Sequence, residues 1–160
     1  MGAMRVGLVG AICLSLGPAA TDFDAGLAVY VDGNYASALR EWRPLAEQGN
    51  ARAQYWLGYM HENGIGVLRD NAVAARWYRN AADQGLVGAQ VYLGTMHVTG
   101  RGVPQSLIEA YKWYSLAAAT GDKVAENNQD VIAASMTPEQ ITEAQRLAHL
   151  WREAFALRSR

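Results

Sequence analysis

Cysteine is nearly absent from this 160-residue chain, where Cys13 is the only one. A lone thiol excludes an internal disulfide and a cysteine-built metal site, so packing must hold the fold. Proline is scarce, with four residues against 16 glycines, which suits helices joined by tight turns. No sign of charge dominates either. Fourteen Lys and Arg against 15 Asp and Glu leave a formal net charge of −1, which gives no field to steer the chain to nucleic acid.

Long apolar runs are missing too. The one uncharged, mostly apolar stretch is residues 6–16, preceded by a short segment with one positive charge and followed by Gly17, Pro18, Ala19 and Ala20. This is the three-part pattern of a secretory signal peptide, too short in its apolar core for a stable anchor. Cleavage is expected after Ala19, which leaves small residues at the last and third-last positions, or after Ala20. A buried N-terminal helix is the alternative. A lipoprotein reading on Cys13 is disfavoured by Ile12 before it. The pattern predicts a periplasmic or secreted protein, without a thiol and without stable membrane insertion once residues 1–20 are removed. Residues 21–160 then form one domain.

What the chain does have is one stretch written twice. Residues 54–89 land on residues 90–125 at an offset of 36 without a gap. Leu57-Gly58 meets Leu93-Gly94, Met60-His61 meets Met96-His97, and Gly64, Gly66 and Val67 meet Gly100, Gly102 and Val103. Ala74, Trp77, Tyr78, Ala81, Ala82 and Gly85 meet Ala110, Trp113, Tyr114, Ala117, Ala118 and Gly121. Such a period marks a supersecondary unit that buries its apolar face only against a neighbour. The units are a degenerate repeat at 22–52, repeats at 53–88 and 89–124, and a C-terminal cap at 125–158.

Within a unit, apolar positions at helical spacing predict two helices. A Gly-x-Gly turn separates them, and Asp70 or Asn71 and Ser106 are candidate caps. Ala74, Trp77, Tyr78, Ala81 and Ala82 are expected as a buried stripe, which makes Trp77→Ala cost ~3–5 kcal/mol. Thr137-Pro138-Glu139-Gln140 is a strong helix start. The amphipathic helix after it is expected to close the open end of the stack, with Arg146, Arg152, Arg158 and Arg160 on its solvated side or beyond. The expected fold is an all-α, right-handed α-solenoid of antiparallel helix pairs, about three to four repeats.

Chemistry-bearing constellations are thin. His61-Glu62 begins like a helical zinc motif, but Ile65 stands where the second histidine is needed. His61 and His97 read as core or groove-edge residues, and His149 has no second ligand at metal-binding spacing. Paired glycines without a third make no phosphate loop, and no Gly-flanked Ser forms a nucleophile elbow. No catalytic residue, cofactor or metal is expected. The surface predicted to work is the face of each first helix that the core leaves free. It comprises Arg52, Tyr55, Tyr59 and Glu62, then Val91, Thr95 and Val98. Tyr55 and Tyr59 would anchor a partner while Arg52 and Glu62 set its polarity.

Leu57-Gly58, the Gly64-Ile65-Gly66-Val67 turn and the Trp77-Tyr78…Ala81-Ala82 helix, repeated in register, resemble the Sel-one-like repeat (SLR) family of tetratricopeptide-like solenoids. His61 and His97 depart from it, since the family more often has Tyr there. The resemblance covers residues 53–121 well and 22–50 partially. It implies an adaptor that brings proteins together, in bacterial periplasmic members linked with envelope assembly, secretion or signalling. A cysteine-rich branch described as binding or hydrolysing β-lactams implies the alternative, a β-lactam or cell-wall hydrolase. That branch staples each repeat with a cysteine pair that this chain lacks. The expected partner is a protein or peptide, and the oligomeric state is left open.

Overall fold

A computed structural model describes residues 23–160, so the expected signal segment and Cys13 lie outside the described residues. Eight helices make up the described chain: α1 Phe23–Val31, α2 Tyr35–Glu47, α3 Ala51–Asn63, α4 Asn71–Asp83, α5 Val87–Thr99, α6 Leu107–Ala118, α7 Lys123–Ala133 and α8 Pro138–Arg158. The described residues contain no strand. Pairs α1–α2, α3–α4 and α5–α6 stack in order, with α2 on α3 and α4 on α5, as an all-α solenoid.

Local chemistry sets the helix ends. Asn34, Asn50, Asp70, Ser106, Asp122 and Thr137 each accept a backbone N–H three residues on, satisfying donors the helix leaves free. Thr137 and Gln140 complete a reciprocal capping box. Helices α3 and α5 stop at Gly64 and Gly100, whose φ of 67° and 69° is left-handed.

Close approach fixes the pairing within a repeat. A Cβ at Gly58 would stand 2.8 Å from the Tyr78 ring, and one at Gly94 2.7 Å from the Tyr114 ring. Between repeats, a buried glutamine reaches back to the preceding helix end. Gln54 Nε2 donates to the Ala46 carbonyl at 3.0 Å and Gln90 Nε2 to the Ala82 carbonyl at 3.3 Å.

The first repeat fits poorly for a simple reason. Its helices are joined by residues 32–34, three residues where the next repeat uses seven, 64–70. Four missing residues, about one helical turn, move α1 out of the 36-residue register. Gly26 therefore takes the role of Gly58, lying under the Trp42 indole, whose Nε1 donates to the Phe23 carbonyl at 3.1 Å.

Two expectations need correcting. Trp77 is half-buried, packed on the α1–α3 cluster, and is not in the buried stripe with Ala74, Tyr78, Ala81 and Ala82. Its counterpart Trp113 is 1% exposed, because α8 packs along α6 and sets Trp151 edge-on against it at 6.3 Å. Helix α8 is also more than an end cap. Residues 134–137 connect it to α7, and it lies along α6 and reaches back to α4. There Trp151 Nε1 donates to Asp83 Oδ1 at 3.3 Å.

Candidate interaction groove

Helices α3, α5 and α7 begin at Ala51, Val87 and Lys123, two steps of 36 residues. The same helical positions therefore recur along the stack. Ala53, Ala89 and Ala125 are fully buried in each, which fixes the inward face. The opposite face carries Arg52 and Tyr59, then Gly88 and Thr95, then Val124 and Val131. These six positions form one lane across three helices.

The lane changes character along its length. At the α3 end it is aromatic. Trp56 stands between Tyr30, at 5.0 Å, and Tyr59, at 5.7 Å; Tyr55 meets Tyr92 at 5.7 Å. Arg52 lies over the Phe23 ring at 3.8 Å and is 3.9 Å from Asp24, an exposed pair of small energetic weight. Arg52, Tyr55, Trp56, Leu86 and Gly88 line an open cleft of ≈ 210 Å³. At the α7 end the lane is aliphatic, with Val124 58% and Val131 71% exposed.

The predicted residues separate into four groups. Arg52, Tyr59 and Thr95 lie in the lane. Tyr55 flanks it, half-buried, its ring also 5.8 Å from Tyr78; burial, then Tyr92, raises its hydroxyl pKa. Val91 and Val98 pack on the cluster formed by Ala110, Tyr111, Tyr114, Ile132 and Ala144. Glu62 is buried and turns toward the joint with the next repeat. It accepts from the Tyr78 hydroxyl at 2.9 Å and from Arg101 Nη2 at 2.9 Å. Burial and then the Glu62 carboxylate push the Tyr78 pKa up, so the hydroxyl stays protonated and donates. Glu62 is thus a joint residue already satisfied from within.

Arg101, Val124 and Val131 were missed by the sequence argument. The valines were one further step of 36 residues away. Arg101 had a weaker signal, a cation where the preceding repeat has Ile65. In the second joint Thr95 Oγ1 donates to the Val91 carbonyl at 3.1 Å, so the Tyr114 hydroxyl, 2.9 Å away, donates to Thr95.

The histidines sit outside the lane. His97 Nε2 is 3.2 Å from Arg79 Nη2 and Nδ1 is 3.1 Å from the Pro104 carbonyl. Arginine only donates, so Nε2 is the acceptor and Nδ1 carries the proton. Burial lowers the pKa of both His97 and His61. Among the described residues no group of three or more His, Cys, Asp or Glu is placed to hold a metal ion.

The Sel1 repeat family model matches residues 51–86 and 87–122, the two units on which the lane is built. Similar solved structures carry the same solenoid. The c5321 protective antigen of uropathogenic Escherichia coli, which displays an SLR fold, aligns at TM-score 0.77 and 29% identity over 83% of this chain. This chain spans only 30% of that protein's length. A Sel1 repeat protein from Oxalobacter formigenes is 35% identical, TM-score 0.63, over 68% of this chain and 84% of its own. Helicobacter pylori cysteine rich protein B is 21% identical, TM-score 0.60, over 67% and 82%, a likeness of fold alone. No curated protein matches the chain.

Proposed function

This chain belongs to the Sel1 repeat family, and from that premise we propose that it is a periplasmic or secreted adaptor whose concave lane holds a segment of a partner protein. Sel1 repeat proteins are protein-interaction modules and typically non-catalytic scaffolds. The observation that carries the reading is the lane itself. It recurs in register over α3, α5 and α7, aromatic at one end and aliphatic at the other, with Val131 71% exposed. Tyr and Trp offer large, stiff contact area at low entropy cost, and exposed valines in register extend it. An extended or helical segment seated there would serve envelope assembly, secretion or signalling.

The test is crosslinking co-purification of the tagged protein from envelope fractions, beside the double variant Tyr59→Ala with Val131→Asp. Tyr55→Ala is the poorer probe, because that ring also packs on Tyr78. A partner captured by the parent and lost in the variant supports the lane; equal capture removes it. A chromogenic β-lactam assay addresses the hydrolase alternative, for which the expected trace is flat.

A further inference from the structure

We propose that the outer face of α2 and α4, around Arg40, Arg43, Arg69 and Arg76 with Leu68 at its tip, docks on an anionic lipid bilayer. The face is independent of the concave lane. The chain is nearly neutral, yet its cations are not evenly used. Arg52, Arg101, Lys112, Lys123 and Arg146 each have a carboxylate partner. Arg40, Arg43, Arg69 and Arg76 are all exposed and form no ion pair; Arg40 donates to Ser37 Oγ at 2.8 Å.

The fold gathers these four. Arg40 and Arg43 lie one turn apart on α2 and line an open cleft with Leu39 and Pro44. The 64–70 turn packs over the same helix, since a Cβ at Gly66 would meet Tyr35 at 2.7 Å and Leu39 at 3.5 Å. That turn carries Leu68 and Arg69. Arg43 from one repeat and Arg76 from the next both act on His61 between them, after the larger and opposite influence of Asp70. The one carboxylate of the turn, Asp70, caps α4, accepting from the Val73 N–H at 2.9 Å, and offsets one of the four positive charges.

Leu68 decides between anionic partners. It is 91% exposed, more than any other large hydrophobic among the described residues, where the following repeat has Pro104. An acidic peptide would use the guanidinium groups and leave Leu68 in water. A bilayer interface takes both, with arginine heads at the phosphates and an apolar side chain below them. Unpaired cations near an anionic surface each add attraction that salt weakens.

The test is co-sedimentation of the full chain with phosphatidylcholine vesicles and with vesicles in which part of it is replaced by phosphatidylglycerol. The readout is the ratio of binding to the two, from which any pull of the apolar residues 6–16 drops out. The expected ratio is well above one and falls with added salt. Arg40→Gln with Arg43→Gln lowers binding to the anionic vesicles about thirtyfold, the loss of two arginines at such a surface. Leu68→Ser weakens binding but keeps its salt dependence, and Arg152→Gln with Arg158→Gln leaves the ratio unchanged. A ratio near one overturns the proposal, as does an equal loss in the α8 double variant. Unchanged binding by Leu68→Ser, together with displacement by soluble polyglutamate, overturns it in favour of an acidic protein partner.

Discussion

The two matched repeats are built on one template, yet their joints work differently. In the first, Tyr78 donates to a buried carboxylate, Glu62, which Arg101 holds from the following repeat at 2.9 Å. In the second, Val98 replaces the carboxylate and Tyr114 turns its hydroxyl to Thr95. One joint is ionic and reaches across repeats; the other is neutral and local. Both bury a tyrosine against a glycine, so the template fixes the packing and leaves the polar chemistry free to vary. The tryptophans teach the same lesson. Trp77 and Trp113 are equivalent by sequence, but only Trp113 lies against α8, and it alone is fully buried.

The largest test of that contrast is the tryptophan pair. Trp113→Ala should cost ~3–5 kcal/mol, as for other buried aromatics, and Trp77→Ala about half as much. Urea unfolding midpoints read both, and equal losses would mean that α8 does not shield α6.

Next comes the ionic joint. Glu62→Ala leaves the buried Tyr78 hydroxyl without its acceptor and Arg101 without its anion, at a cost of about 2–3 kcal/mol. Arg101→Ala leaves the Glu62 carboxylate buried with the Tyr78 hydroxyl but without a cation, so it should cost at least as much. A double-mutant cycle measures the coupling. If the two losses simply add, the joint is not ionic in solution.

The smallest effect separates the histidines. Burial holds the folded pKa of His97 below the unfolded value near 6.5. The unfolded state therefore takes up protons first. The stability contribution is full above about pH 6.5 and is lost as pH falls below it toward the folded pKa. Protonating Nε2 also removes the bond from Arg79. His97→Asn should flatten the fall in melting temperature between pH 7 and 5 more than His61→Asn does. The reverse order would break the assignment of the His97 tautomer.

Legibility followed the same division. The 36-residue period gave the solenoid, the caps at Asp70, Ser106 and Thr137, and the glycine turns, because each depends on residues close in the chain. The lane was legible in part. Helical phase placed Arg52, Tyr59 and Thr95 on one face, whereas Val124 and Val131 sit in a helix whose sequence no longer looks like the repeat although its register holds. Glu62, Val91 and Val98 pack toward neighbouring elements, because helical phase does not tell a free face from one turned toward the next repeat.

Sequence alone determined the period, the helix ends and the tyrosine-on-glycine contacts, since backbone geometry and local hydrogen bonding leave those residue types few other uses. Tertiary structure decided that Glu62 is buried in the joint between repeats, that α8 lies along α6, and that the turn with Leu68 and Arg69 packs over α2. Those outcomes depend on which side chains meet beyond a single repeat, as Arg101 meets Glu62 across 39 residues, and only the packed stack specifies such encounters.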